Sequence, residues 1–99
     1  MNSYDDVTYK FKLFIAGINP GSIRAIEKIR EICDNYLPDH YDLEVIDIYQ
    51  QRQIAREMDI IAVPTLIRTH PAPEKWIIGD MTDTREIISV MEIRTKPKD

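Results

Sequence analysis

Two short segments hold the residues whose types and spacing bear on chemistry: Asn19-Pro20-Gly21-Ser22 and Val63-Pro64-Thr65. Asn19 and Ser22 bracket the start of an expected helix, where free N–H groups and the helix dipole favour a thiolate or another anion. Asn19 has no ionisable group with which to exploit that field. Ser22 carries a hydroxyl, but a serine needs a neighbouring base to become a nucleophile. The two histidines, His40 and His70, fall in expected loops, and no spacing ties either to Ser22. Asn19 and Ser22 therefore read as residues of a capped helix start. Cys33 lies three turns into the same helix, on or beside its apolar stripe, where a lone cysteine behaves as a small hydrophobe. No pair of His, Cys or carboxylate residues has a ligand spacing such as His-x-x-x-His, so neither a metal nor another cofactor is expected. Pro64 admits two readings. A trans proline at the first residue of a strand needs no ladder donor. A cis X-Pro bond, present at only about 5–6% in folded proteins, would instead mark a built feature.

The chain that must position these residues is one domain of 99 residues. Its 43% hydrophobic and 30% charged content reads as soluble and globular. A net charge of −4 argues against a general nucleic-acid binder, and the run Arg24, Lys28, Arg30 is interrupted by Glu27 and Glu31. A single cysteine excludes an internal disulfide. Residues 1–6 are polar and acidic, unlike a signal peptide. The longest apolar stretch, residues 60–67, is interrupted by Pro64 and Thr65 and falls far short of the roughly 20 residues of a spanning helix. A cytoplasmic protein with neither nucleic acid nor membrane as partner is expected.

Residues 9–15 place Tyr9, Phe11, Leu13 and Ile15 against Lys10, Lys12 and Phe14, the period of a strand with one buried face. Asn19 suits an N-cap and Pro20 the first helical position. Ile23, Ile26, Ile29, Ile32 or Cys33, and Tyr36 then recur at helical spacing, which predicts a helix over residues 20–36 that stops before Leu37-Pro38. Residues 43–48 read as a second strand, completing a βαβ unit with parallel strands. Residues 50–59 suggest a short helix with Ile54, Ala55 and Met58 on its narrow apolar face. Residues 63–69 and 75–78 read as strands around His70-Pro71-Ala72-Pro73, and Gly79-Asp80 as a turn. Asp83 and Glu86 form a capping pair for a last helix that buries Ile87, Ile88, Val90 and Met91. Residues 87–93 are rich in β-branched side chains and fit a helix or a ragged strand. The class is α/β and the order β-α-β-α-β-β-α.

A strand, a helix-opening turn and a later Val-Pro-Thr resemble the frame of a thioredoxin-like domain. Redox members carry Cys-x-x-Cys in that turn; here Asn19 and Ser22 stand in its place, and neither forms a disulfide. In that superfamily the proline equivalent to Pro64 is cis, and its strand offers backbone groups to an extended partner or to glutathione.

The blocks Lys12-Leu13-Phe14-Ile15-Ala16-Gly17, Pro20 with Ser22-Ile23-Arg24-Ala25, Leu43-Glu44-Val45-Ile46-Asp47-Ile48, Ile60-Ile61-Ala62-Val63-Pro64-Thr65-Leu66 and Ile77-Ile78-Gly79-Asp80-Met81-Thr82, in this order, resemble the KaiB family. The match runs over residues 9–93, between tails 1–8 and 94–99. The resemblance implies a regulatory protein without catalysis that binds the N-terminal ATPase ring of a KaiC-type protein. A histidine kinase or a KaiA-like protein is implied as a further partner. It also implies two folds. One is thioredoxin-like and competent to bind. The other, a resting dimer or tetramer, has its second half rebuilt to give β-α-β-β-α-α-β. By the same resemblance Gln50, Arg52, Gln53, Arg56, Gly79 and Asp80 are the expected contact residues, and Pro64, Pro71, Pro73 and Gly79 the expected switch positions. The resemblance departs at Gln50-Gln51-Arg52-Gln53 and Arg56-Glu57-Met58, where many relatives have a lysine and an acidic helix, and at the basic tail Arg94-Thr95-Lys96-Pro97-Lys98-Asp99. These departures suggest timing or stress control with a KaiC-type protein alone. The competing expectation is a glutathione- or thiol-handling enzyme built on Ser22, Pro64 and Asp80-Met81-Thr82-Asp83. A third is a sensor domain of a histidine kinase, against which the Met1 start and short basic end favour a free-standing protein.

Overall fold

A computed structural model describes residues 7–93. The expected tail 94–99 and most of the expected tail 1–8 lie outside the described residues. Seven elements follow in the order β1 (Tyr9–Ile15), α1 (Pro20–Tyr36), β2 (Tyr41–Asp47), α2 (Arg52–Glu57), β3 (Thr65–His70), β4 (Lys75–Ile78) and α3 (Thr84–Val90). The sheet order is β2-β1-β3-β4. β1 is parallel to β2, with Leu13 opposite Val45, and antiparallel to β3, with Leu13 opposite Leu66. β4 runs antiparallel to β3. This is the thioredoxin-like arrangement; the second half is not rebuilt as β-α-α-β.

Period-two alternation in β1 gives the sheet two unequal cores. Tyr9, Phe11, Leu13 and Ile15 pack with Leu66 and Ile77 beneath Ala25, Ile29, Ile32 and Cys33 of α1 and Ile87 near α3's middle. Phe14, Ile46 and Ile67 form the opposite core, closed by Ile54 of the short α2, by Met58 at its C-cap and by Trp76. α2 covers only the end of that face where Phe14 lies. Lys10 and Lys12, further back on β1, stay wet, and Lys12 pairs with Glu44 across the strands at 2.7 Å.

The structure corrects several details. α1 is rotated from the expected stripe: it buries Ser22, Ala25, Ile29, Ile32 and Cys33, while Ile23 and Tyr36 are exposed. The capping box sets this phase. It turns Ser22 inward, which puts Ile23, a hundred or so degrees around the helix, outward. β2 starts two residues before the expected position, because Tyr9 N donates to His40 O at 2.9 Å and the ladder begins at Tyr9–Tyr41. α2 is six residues, without a side-chain cap at Gln51, and the chain leaves it through Asp59 at φ +55°. Ile87 is the one buried residue within α3 and Ile88 and Val90 are half-buried, whereas Met91 is buried as expected but stands at the C-cap. The ambivalent stretch is thus helix to Val90, then a left-handed Glu92 at φ +53° and a buried Ile93.

Candidate partner-binding end of the sheet

Parallel pairing of β1 and β2 puts the loops that follow them at one end of the sheet. β3 begins at that end and β4, antiparallel to it, finishes there. Residues 16–19, 48–51, 60–64 and 78–82 therefore gather on one rim. Asp47 ties two of these loops: its Oδ1 accepts from Gly17 N at 3.0 Å and from Tyr49 N at 2.9 Å. Gly17 sits at φ +72°, with the Tyr49 ring where its Cβ would come into contact. On the other side Gly79, at φ +111°, donates its N–H to Pro64 O at 3.0 Å. The Val63–Pro64 bond is cis. A shallow groove between α1 and Pro64 is lined by Ala16, Asn19, Arg24, Val63, Asp80 and Met81, among others.

The groove's polar side chains are committed to structure. Asn19 Oδ1 accepts from Ser22 N, and Ser22 Oγ accepts from Asn19 N, both at 2.9 Å. The Ser22 hydroxyl also lies 3.0 Å from Gly17 O, to which it donates. This reciprocal capping box occupies the turn where a redox domain keeps its two thiols. His40 precedes β2 and His70 ends β3, so both lie at the far end of the sheet and neither serves Ser22 as a base. Cys33 is buried, and burial, reinforced by Asp34, pushes its thiol up to about 12 against the opposing pull of Arg30. It holds no useful thiolate at neutral pH. Among the described residues no group of three His, Cys, Asp or Glu could hold a metal ion.

Of the expected contact residues, Gln50 and Arg52 stand on the rim and Gln53 and Arg56 continue along α2, all exposed. Arg52 Nε reaches Tyr49 O at 3.4 Å, and Gln53 Nε2 donates to Glu57 Oε2 at 3.0 Å. Gly79 and Asp80 share the rim, on the β4 side. The expected switch prolines are split: Pro64 is at the rim, whereas Pro71 and Pro73 lie in the β3–β4 loop at the far end.

Four apolar residues on the rim were not expected as contacts, Ile78 and three that are more exposed. Ile61 is 90% exposed, Ile18 71% and Tyr49 61%. Ile61 belongs to the longest apolar run of the chain, which conceals its exposure; it lies before the expected strand at residues 63–69 and before β3, which begins at Thr65. Arg68 was also missed. It is 2% exposed on β3, and the alternation that puts Leu66 inward was the signal for it.

A family model described as the KaiB domain matches residues 12–93. The Circadian clock oscillator protein KaiB of Prochlorococcus marinus (strain MIT 9312) is 41% identical over 86 residues, which cover 87% of this chain and 82% of that protein. The protein of the same name from Trichodesmium erythraeum is 37% identical over 87% of this chain and 83% of its own length. Among solved structures, the N-terminal domain of Synechococcus elongatus SasA superposes with a TM-score of 0.71 at 18% identity, covering 93% of this chain and 90% of that one. Oxidised thioredoxin O2 from Arabidopsis thaliana gives a TM-score of 0.70 at 23% identity, covering 93% and 79%. These distant likenesses establish the thioredoxin-like fold alone.

Proposed function

Because this chain belongs to the KaiB family, a family of clock regulators and not of enzymes, we propose that its rim binds the N-terminal ATPase ring of a KaiC-type protein. Binding there modulates the phosphorylation or timing of that protein, in a clock or in stress-related control. Gln50, Arg52, Gln53 and Arg56 supply the polar contacts, with Gly79 and Asp80 across the rim. The observation that carries this reading is the exposure of Ile18, Tyr49 and Ile61 beside a turn whose Asn19 and Ser22 are spent on a helix cap. A large apolar side chain held 90% in water adds nothing to this fold, whereas such residues rimmed by polar ones mark protein contacts. A thioredoxin-like form that binds and a resting oligomer with a rebuilt second half complete the reading. Two such packings must lie within a few kcal/mol of each other.

The test is interferometry of the chain on an immobilised KaiC-type N-terminal ring after long incubation. Wild type should bind, and Ile61→Asp should lose at least about tenfold in affinity while melting like wild type. Equal binding by the two proteins would remove the rim from the interface.

A further inference from the structure

Among the described residues Arg68 is the only charged side chain buried in the core. It projects from β3 beneath the last turn of α3. Its Nη1 donates to the carbonyl of Met91, the α3 C-cap, at 2.6 Å. Its Nη2 donates to the carbonyl of Pro73, in the β3–β4 loop, at 2.7 Å. The guanidinium carbon lies 5.9 Å from the centroid of the Tyr9 ring. Tyr9 Oη in turn donates to the Glu92 carbonyl at 3.0 Å. The Glu92 carboxylate sits 3.7 Å from both Arg68 Nη1 and Lys75 Nζ. Among the described residues Arg68 Nε finds no partner.

This node is an odd way to hold an element by stability alone. A buried guanidinium is costly, and apolar residues of similar volume often serve a core as well or better. What an arginine fork adds is geometry, since it fixes two carbonyls at once. The helix it fixes needs such help. α3 has seven residues, too few to persist by itself, and one fully buried side chain, Ile87. At its other end α3 follows from residues 79–83, of which Asp80, Met81 and Thr82 wall the groove beside Pro64.

We propose that Arg68 is a conformational latch: its forked hydrogen bonds hold α3 docked on the sheet, and through α3 they hold the 79–82 wall of the groove at the far end. The latch concerns this chain's own packing and stands whether or not a ring ATPase is the partner. Releasing it frees α3 and the groove wall together, while the β1–α1–β2 half, which contributes only Tyr9 to the node, stays folded.

Hydrogen exchange read by mass spectrometry tests this on the full chain. In Arg68→Met, amides of residues 84–93 should exchange about ten- to a hundredfold faster, the loss of hydrogen bonds to a charged donor, while β1 and β2 keep wild-type rates. Arg68→Lys should fall between, because one ammonium replaces the fork. Tyr9→Phe should accelerate the same segment about threefold. Wild-type rates for residues 84–93 in Arg68→Met, or equal acceleration of helix and sheet, would overturn the latch. Should Arg68→Met fail to fold, Arg68→Lys is judged by the same rule: selective acceleration of residues 84–93 supports the latch, and none or a uniform one overturns it.

Discussion

Replacing Ser22 by Ala separates a structural hydroxyl from a chemical one. The side chain is buried, accepts from Asn19 N at 2.9 Å and donates to Gly17 O at 3.0 Å. Each bond contributes about 0.5–1.5 kcal/mol net, and the two backbone groups left behind belong to the half-buried Gly17 and the exposed Asn19. Alanine returns about 0.5 kcal/mol through its better helix propensity. The expected loss is about 1–2 kcal/mol. With a urea slope near 1 kcal/mol/M for a domain of this size, the unfolding midpoint should fall by about 1–2 M. Circular dichroism at the helix band, together with Trp76 fluorescence, reads it. Asn19→Ala should cost about 1 kcal/mol, and the double variant less than the sum, because the two residues share one capping box. A Ser22→Ala protein as stable as wild type would refute the reasoning: the hydroxyl would then be free for another purpose.

Three further outcomes follow from the same structure. Gly79→Ala puts a Cβ into open space at φ +111°, so the cost is backbone strain of about 1–3 kcal/mol without a clash, partly offset by lower chain entropy; denaturant titration should show a net loss of about 1–2 kcal/mol, and a shift in oligomer size by light scattering should accompany it if a second fold is that close. Tyr41 Oη donates to Asp34 Oδ1 at 2.6 Å, and this bond, more than burial, raises its phenol to about 12. A raised folded pKa means the stabilisation is complete below the ordinary value near 10 and is lost as pH rises through about 12, so the wild-type stability profile should fall in that window relative to Tyr41→Phe. Cys33 should react with iodoacetamide at pH 8 about a hundredfold more slowly in the native protein than in urea, since its thiolate is disfavoured by burial; equal rates would place the thiol in solvent.

The first half of the fold was legible because its signals agree. β1 alternates up to Leu13, α1 has an N-cap, a proline at its first position and a proline after its end, and both were bounded correctly from sequence. The phase of α1 was not legible, because Ile23 and Tyr36 fit an apolar stripe as well as Ser22 and Ala25 do, and only the capping box decides between them. α2 is shorter than expected at both ends: Gln51 offers no side-chain cap at its start, and the left-handed Asp59 stops it after Glu57. The rim was half visible: the helix-opening turn and Val63-Pro64-Thr65 pointed to it. Exposure of Ile18, Tyr49 and Ile61 depends on where the strands stop, which hydrophobicity alone does not say. Arg68 was overlooked for a related reason, although its place two residues after Leu66 puts it on the inward face. A charged residue reads as solvent-facing until the carbonyls that receive it, here from Pro73 and Met91, are in place.

The proposed role of the rim is to bind a ring ATPase, not to perform chemistry. Size-exclusion chromatography with light scattering, on the chain incubated for many hours with a KaiC-type N-terminal ring, tests it most directly. A stable complex with one copy of the chain per ring subunit should form slowly; separate elution of ring and chain at every incubation time would rule out this role.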